Sequence, residues 1–213
     1  MLAVCSLTSR ADTFHVTVDT TGLSGSSGYL AFDVVNGDGI YSNNTASVSA
    51  FSATPTFNGG VNTNTLGASG SLPGNLTVQD AENWNESLQG ITYGNALSFD
   101  LSFTNNFGSG SPDEFSFFLL DSSMMSIASS DMSGALFTVD AVGGPSNSLT
   151  VFDSQTPGVS WTVTPASTVP EGNSLALLLG GCVPALLISI VCRVRRAGTP
   201  RTIRKSLIAT PNQ

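Results

Sequence analysis

From Asp12 to Thr164 the chain alternates apolar and polar residues with a period of two. TFHVTVD sets Phe14, Val16 and Val18 on one side and Thr13, His15, Thr17 and Asp19 on the other. ALSFDLSF repeats the pattern with Leu97, Phe99, Leu101 and Phe103 against Ser98, Asp100 and Ser102. YLAFDVV, TASVSAF, NLTVQD, EFSFFLLD, ALFTVDAV, SLTVFD and GVSWTVT follow suit, so about nine half-buried strands are predicted. The one helical candidate, VQDAENWNESLQ, is too polar to bury much.

Turn clusters such as GLSGSSG, NNFGSGSPD and GGPSNS separate the strands, and NGDG at Asn36–Gly39 predicts a type I′ hairpin turn. The Ser/Thr/Asn/Gly-rich stretch 47–74 predicts long loops or an edge. Many short strands with no convincing helical period predict an all-β fold, an antiparallel β-sandwich of jelly-roll or immunoglobulin-like type. Trp161, alternating with Val159 and Val163, is expected in its core.

The pattern breaks near the end. Ser174 to Cys192 is 19 residues without a charge, about 28 Å as a helix, close to the hydrocarbon thickness of a bilayer. Six cations follow: Arg193, Arg195, Arg196, Arg201, Arg204 and Lys205. A transmembrane helix over 174–192 with a basic cytoplasmic tail over 193–213 is expected, Arg193, Arg195 and Arg196 setting the topology. All 15 carboxylates precede the apolar run, and no Lys or Arg lies between Ala11 and Cys192. Such a surface repels phosphate backbones, which excludes nucleic acid as a partner. Residues 1–11, MLAVCSLTSRA, end in small residues at Ser9 and Ala11 that suit a signal peptidase and predict the remnant of a signal peptide. A lipobox ending at Cys5 is the competing reading, with Val4 a poor residue before the cysteine.

The segment 165–173 is a linker, in which Pro165 and Pro170 favour extended backbone accessible to an enzyme. The stretch VPEG (Val169, Pro170, Glu171, Gly172), the apolar run and RVRR together resemble the PEP-CTERM sorting signal of exosortase systems. The resemblance implies transport to the cytoplasmic membrane, recognition by an exosortase-type transpeptidase, removal of the helix, and display at the cell surface or in exopolysaccharide matrix. Gly172 replaces the usual second proline, and the tail runs 17 residues past Arg196. The alternative is an ordinary single-pass anchor. The opening VTVDTTGLSGSSGYLAFDVVNGDG also resembles a family of small β-rich PEP-CTERM proteins, which implies architecture and no chemistry.

Catalytic chemistry finds few residues. Residues 12–164 hold no Cys and one His, so a Ser or Cys triad and a His/Cys zinc site lack their parts, and no catalytic or metal residue is assigned. Paired carboxylates would serve a glycosidase. Asp113 with Glu114 and Asp100 with Asp121 are the pairs the sequence offers, among acids numerous enough for chance proximity. No cofactor is expected; structural calcium would suit Asp33, Asn36 and Asp38, but their spacing misses the loop consensus. For sugar stacking Trp84 is the candidate ligand contact, with Tyr41 and Tyr93 as similar candidates, although burial of Trp84 under a loop is the simpler expectation.

Overall fold

Extended backbone puts successive side chains on opposite faces, and burial in β1 (Ala11–Asp19) follows that rule: Phe14, Val16 and Val18 are buried while His15 and Asp19 are exposed. The structure, a computed structural model, describes residues 11–166. The expected leader, the sorting motif Val169–Gly172, the apolar run and Arg193, Arg195 and Arg196 lie outside the described residues. Among the described residues no helix is long and apolar enough to cross a membrane.

The remaining strands are β2 (Ser27–Val35), β3 (Thr45–Thr54), β4 (Asn62–Asn64), β5 (Ala68–Gly70), β6 (Leu76–Gln79), β7 (Trp84–Thr92), β8 (Ala96–Thr104), β9 (Asp113–Asp121), β10 (Phe137–Ala141), β11 (Ser148–Val151) and β12 (Ser160–Pro165). They form two six-stranded antiparallel sheets, ordered β12-β1-β8-β3-β6-β5 and β11-β10-β9-β2-β7-β4. The only helical element among the described residues is a single 3-10 turn at Thr21–Leu23.

The inner faces of both sheets feed one core. Phe99 from the first sheet meets Phe32 and Phe117 from the second with ring centroids 5.7 and 5.0 Å apart, both edge-on. Phe103, Phe115 and Phe137 continue the stack along the sandwich. Full burial of each such ring contributes about 1.5–3 kcal/mol. With no cysteine among the described residues, this burial and the strand ladders hold the domain together.

Five expectations need correction. Twelve strands are present among the described residues rather than nine: β4 and β5 are short outermost strands from the Ser/Thr/Asn/Gly-rich stretch, and β7 occupies much of the stretch read as a polar helical candidate. Of the four inward positions of β7 only Ile91 is apolar; the other three, Asn85, Ser87 and Gln89, are polar and fully buried, which hides the strand. They are satisfied by one another and by the chain that crosses beneath them. The Ser87 hydroxyl donates to Asn64 Oδ1 (2.6 Å), and Gln89 Oε1 accepts from the Leu72 amide (3.0 Å). Strand β2 beside it and β9 beyond bring most of the sheet's apolar side chains to the core, with Ile91 the contribution of β7. Asn36–Gly39 is not a hairpin turn, because β2 and β3 belong to different sheets and the segment crosses between them. Trp161 is only half-buried: it packs on the core's margin from the outermost strand β12, while Val159 is buried. Tyr93 is buried, its hydroxyl directed at the Tyr29 and Leu120 carbonyls at 2.8 and 2.9 Å.

Candidate functional site

The outer face of β2, β7 and β9 carries a patch that the core does not explain. On β2 the inward residues are Leu30, Phe32 and Val34, which leaves Ala31 and Asp33 facing out. Antiparallel pairing sets Glu86 of β7 directly opposite Asp33, and Ser116 of β9 on its other side. Directly opposed residues have Cβ atoms about 4.5–5.5 Å apart. Two carboxylates therefore lie side by side with no Lys or Arg among the described residues, and the one His, His15, is on the other sheet.

Asp33 is nearly buried, 9% exposed. Its Oδ2 accepts a hydrogen bond from the Trp84 indole N–H at 3.2 Å, and its Oδ1 is buried with no partner. Burial, and secondly the charge of Glu86, push the Asp33 carboxyl up to about 7, against the pull of the Trp84 bond. Burial also raises Glu86. One strand further, Asp140 is opposite Glu114, and burial and then Glu114 raise it as well.

Next to the acids the face turns apolar. Ala31, Leu88 and Leu120 form a small cluster with Tyr29 and Phe118 packed on it. The loop between β9 and β10 rises over this cluster and closes one side of a trough of about 550 Å³, within the usual range for ligand sites. Asp121 starts the loop by accepting the Ser123 and Met125 amides at 2.7 and 3.0 Å, and the Ser126 hydroxyl ties it to the Gly134 carbonyl at 2.8 Å. This bracing presents Met124, Met125 and Met132 to the trough while leaving them exposed, Met132 completely. Asp131, on the same loop, is held below its ordinary range mainly by its bond from the Ser133 hydroxyl.

A second acidic group sits at one end of the sandwich and has a different character. Asp113 and Asp80 are completely buried around Asn44. Asp113 Oδ1 accepts the Gly37 and Asp38 amides (2.7 and 3.2 Å) and its Oδ2 accepts Asn44 Nδ2 (2.7 Å). Asp80 Oδ1 accepts the Asn44 amide at 3.0 Å. Burial raises Asp80 to about 6, with Asp113 adding to the shift. Position 37 must be glycine here, since a Cβ would strike the Pro112 carbonyl.

The sequence-based candidates are thereby sorted. Trp84 is half exposed, not covered by a loop, and touches the trough through Asp33. Tyr41 is exposed, donates to Asn83 Oδ1 at 2.8 Å and does not line the trough. The calcium trio is split: Asp33 faces the trough, whereas Asn36 and Asp38 fold their oxygens onto loop amides, Gly39 at 2.7 Å and Ile40 at 2.7 Å. Among the described residues no group of three or more His, Cys, Asp or Glu could hold a metal ion. Asp113 and Glu114 point to opposite faces of β9, and Asp100 and Asp121 are on different sheets. His15 pairs with Asp100 on the surface at 2.7 Å. The Asp33–Glu86 pair was missed because it needs the β2–β7 register, and β7 hid behind its polar inner face. No protein-family model, no curated protein and no solved structure matches the chain.

Proposed function

We propose that this is an exported protein of the cell surface or extracellular matrix, delivered by the C-terminal PEP-CTERM-like signal, with a structural or adhesive rather than enzymatic role. One observation carries the reading: every carboxylate lies before the uncharged segment 174–192 and six cations lie after it. A helix there crosses the membrane with Arg193, Arg195 and Arg196 inside and the acidic domain outside. An exosortase-type transpeptidase acts at Val169–Gly172, and exopolysaccharide is the surrounding partner. The second reading, a permanently anchored carbohydrate- or protein-binding module, draws on Gly172 standing where the motif's second proline is usual.

Comparing the mass of the mature protein with that of Glu171→Ala tests the sorting step. Loss of residues 173–213 from the wild type and their retention in the variant is expected; retention in both decides for the anchor. Turnover of a glycosidase substrate, abolished by Glu86→Gln, would overturn the non-enzymatic role. Of the two sandwich types expected, the succession β1-β8-β3-β6 against β2-β7-β4 favours the jelly roll, since early strands sit beside late ones across both sheets.

A further inference from the structure

We propose that the trough on the outer face of β2, β7 and β9 binds a protonated primary amine carried on an apolar stem, with Asp33 and Glu86 receiving the ammonium group. This inference concerns the folded domain and does not depend on where the domain is displayed. Three observations carry it.

The first is the orphan oxygen. Asp33 Oδ1 is buried in a residue only 9% exposed and has no hydrogen-bond partner, although its side chain lines the trough. Leaving such a group unpaired is costly, and native proteins rarely tolerate it without a reason. The missing partner is a donor. The second observation is charge: Glu86, directly opposite, is a second carboxylate, and no Lys or Arg occurs between Ala11 and Cys192 to neutralise the two. A cation supplied from outside satisfies both at once.

The third observation concerns the rest of the lining, which selects among cations. Ala31, Phe118, Leu120 and the three methionines make one wall apolar, while Asp131 and the Ser126, Ser129 and Ser133 hydroxyls line the other, and no three of the described acids converge on one point to hold a metal ion. A hard metal ion wants six to eight oxygens and gains nothing from the apolar wall. A guanidinium is best held by a carboxylate with both oxygens free, but Asp33 Oδ2 is already engaged by Trp84. An ammonium group is a point charge with three donors, so it can bond Glu86 and, on a small rotation of the Asp33 carboxylate that brings its buried oxygen to the trough, Asp33 Oδ1 as well. Its methylene stem then lies along Phe118 and the flexible, polarisable methionines.

The same chemistry arrives on a free alkyl diamine or on a lysine side chain, and the experiment separates these sources. The full chain in a non-ionic detergent is titrated with 1,5-diaminopentane, Nα-acetyl-lysine amide, Nα-acetyl-arginine amide, 1,5-pentanediol and calcium chloride. The Trp84 indole N–H resonance, assigned with Trp161→Phe, reports binding. Both amines are expected to shift it saturably, the diol not at all, and the arginine analogue and calcium at least ten-fold more weakly. Stronger binding of the lysine analogue points to a protein partner, and of the diamine to a free amine; either outcome supports the site. Asp33→Asn and Glu86→Gln are each expected to weaken amine binding ten-fold or more. Both are near-isosteric and remove charge from a crowded pair, and an unchanged denaturation midpoint or a higher one confirms folding. The proposal is overturned if neither amine binds, if the diol or calcium competes as well as the amines, if the arginine analogue binds more tightly, or if both variants bind normally.

Discussion

Two places in this molecule bury carboxylates, and they differ in how the oxygens are used. Around Asn44, Asp80 and Asp113 are wrapped by backbone and side-chain amides. In the trough, Asp33 keeps one oxygen on an indole and leaves the other unmatched beside a second acid. The first arrangement turns acid burial into architecture, because the bonds join the β2–β3 crossover to β9 and to the segment before β7. The second returns only the single Trp84 bond to the fold and is raised in pKa by burial and by Glu86. Burial of an acid is therefore no guide to function until its partners are counted.

That contrast has consequences of opposite sign. Removing Asp113 with Asp113→Ala strands the Gly37, Asp38 and Asn44 donors, and a loss of about 3–5 kcal/mol is expected from urea unfolding midpoints. Asn44→Ala, which removes the amide linking Asp113 to the Asn106 carbonyl, should cost about 2–4 kcal/mol in the same measurement.

Asp33→Asn should go the other way and stabilise the fold at pH 8 by about 1–3 kcal/mol. The sign follows from the raised carboxyl. The folded state holds the Asp33 proton more tightly than the unfolded chain, so that contribution is complete below pH 3.8 and is lost as the pH rises to about 7. Asp80 follows the same course up to about 6, so the difference between wild type and Asp33→Asn isolates the trough. A flat difference between pH 4 and 8 would show that Asp33 is not strained. Trp84→Phe removes the one hydrogen bond that favours the ionised form, and carboxyl resonances should report a higher Asp33 titration midpoint with a stability change below about 1 kcal/mol. Smallest of all, His15→Gln breaks only an exposed pair with Asp100 and should alter stability by less than about 0.5 kcal/mol.

The sequence reveals a strand wherever alternation exposes an apolar face, as in β1, β8 and β9, because burial there is carried by residues that declare themselves: Phe14, Phe99, Phe117. Strand β7 shows the limit. Three of its buried residues are the polar Asn85, Ser87 and Gln89, and what makes Ser87 and Gln89 buriable, Asn64 and the Leu72 amide, is supplied by chain well before the strand. The same limit hid the trough. Trp84 stood out by its polar setting, but the meeting of Asp33 and Glu86 depends on strand pairing, which no local pattern encodes. The NGDG segment misled for a related reason: its short polar composition suits a hairpin, and only the distant Asp113 shows that it bridges two sheets.

The first and last strands of the domain are neighbours: β1 pairs with β12, and the Ala166 amide donates to the Thr13 carbonyl. The polypeptide thus enters and leaves its folded body at adjacent points along one seam. Every rung described in the two sheets is made at or before Pro165, so all twelve strands and the trough lie on one side of a cut in the backbone beyond Ala166. A graft that joins Ala11 to Ala166 through a short loop, with new ends opened elsewhere, should fold to the same body.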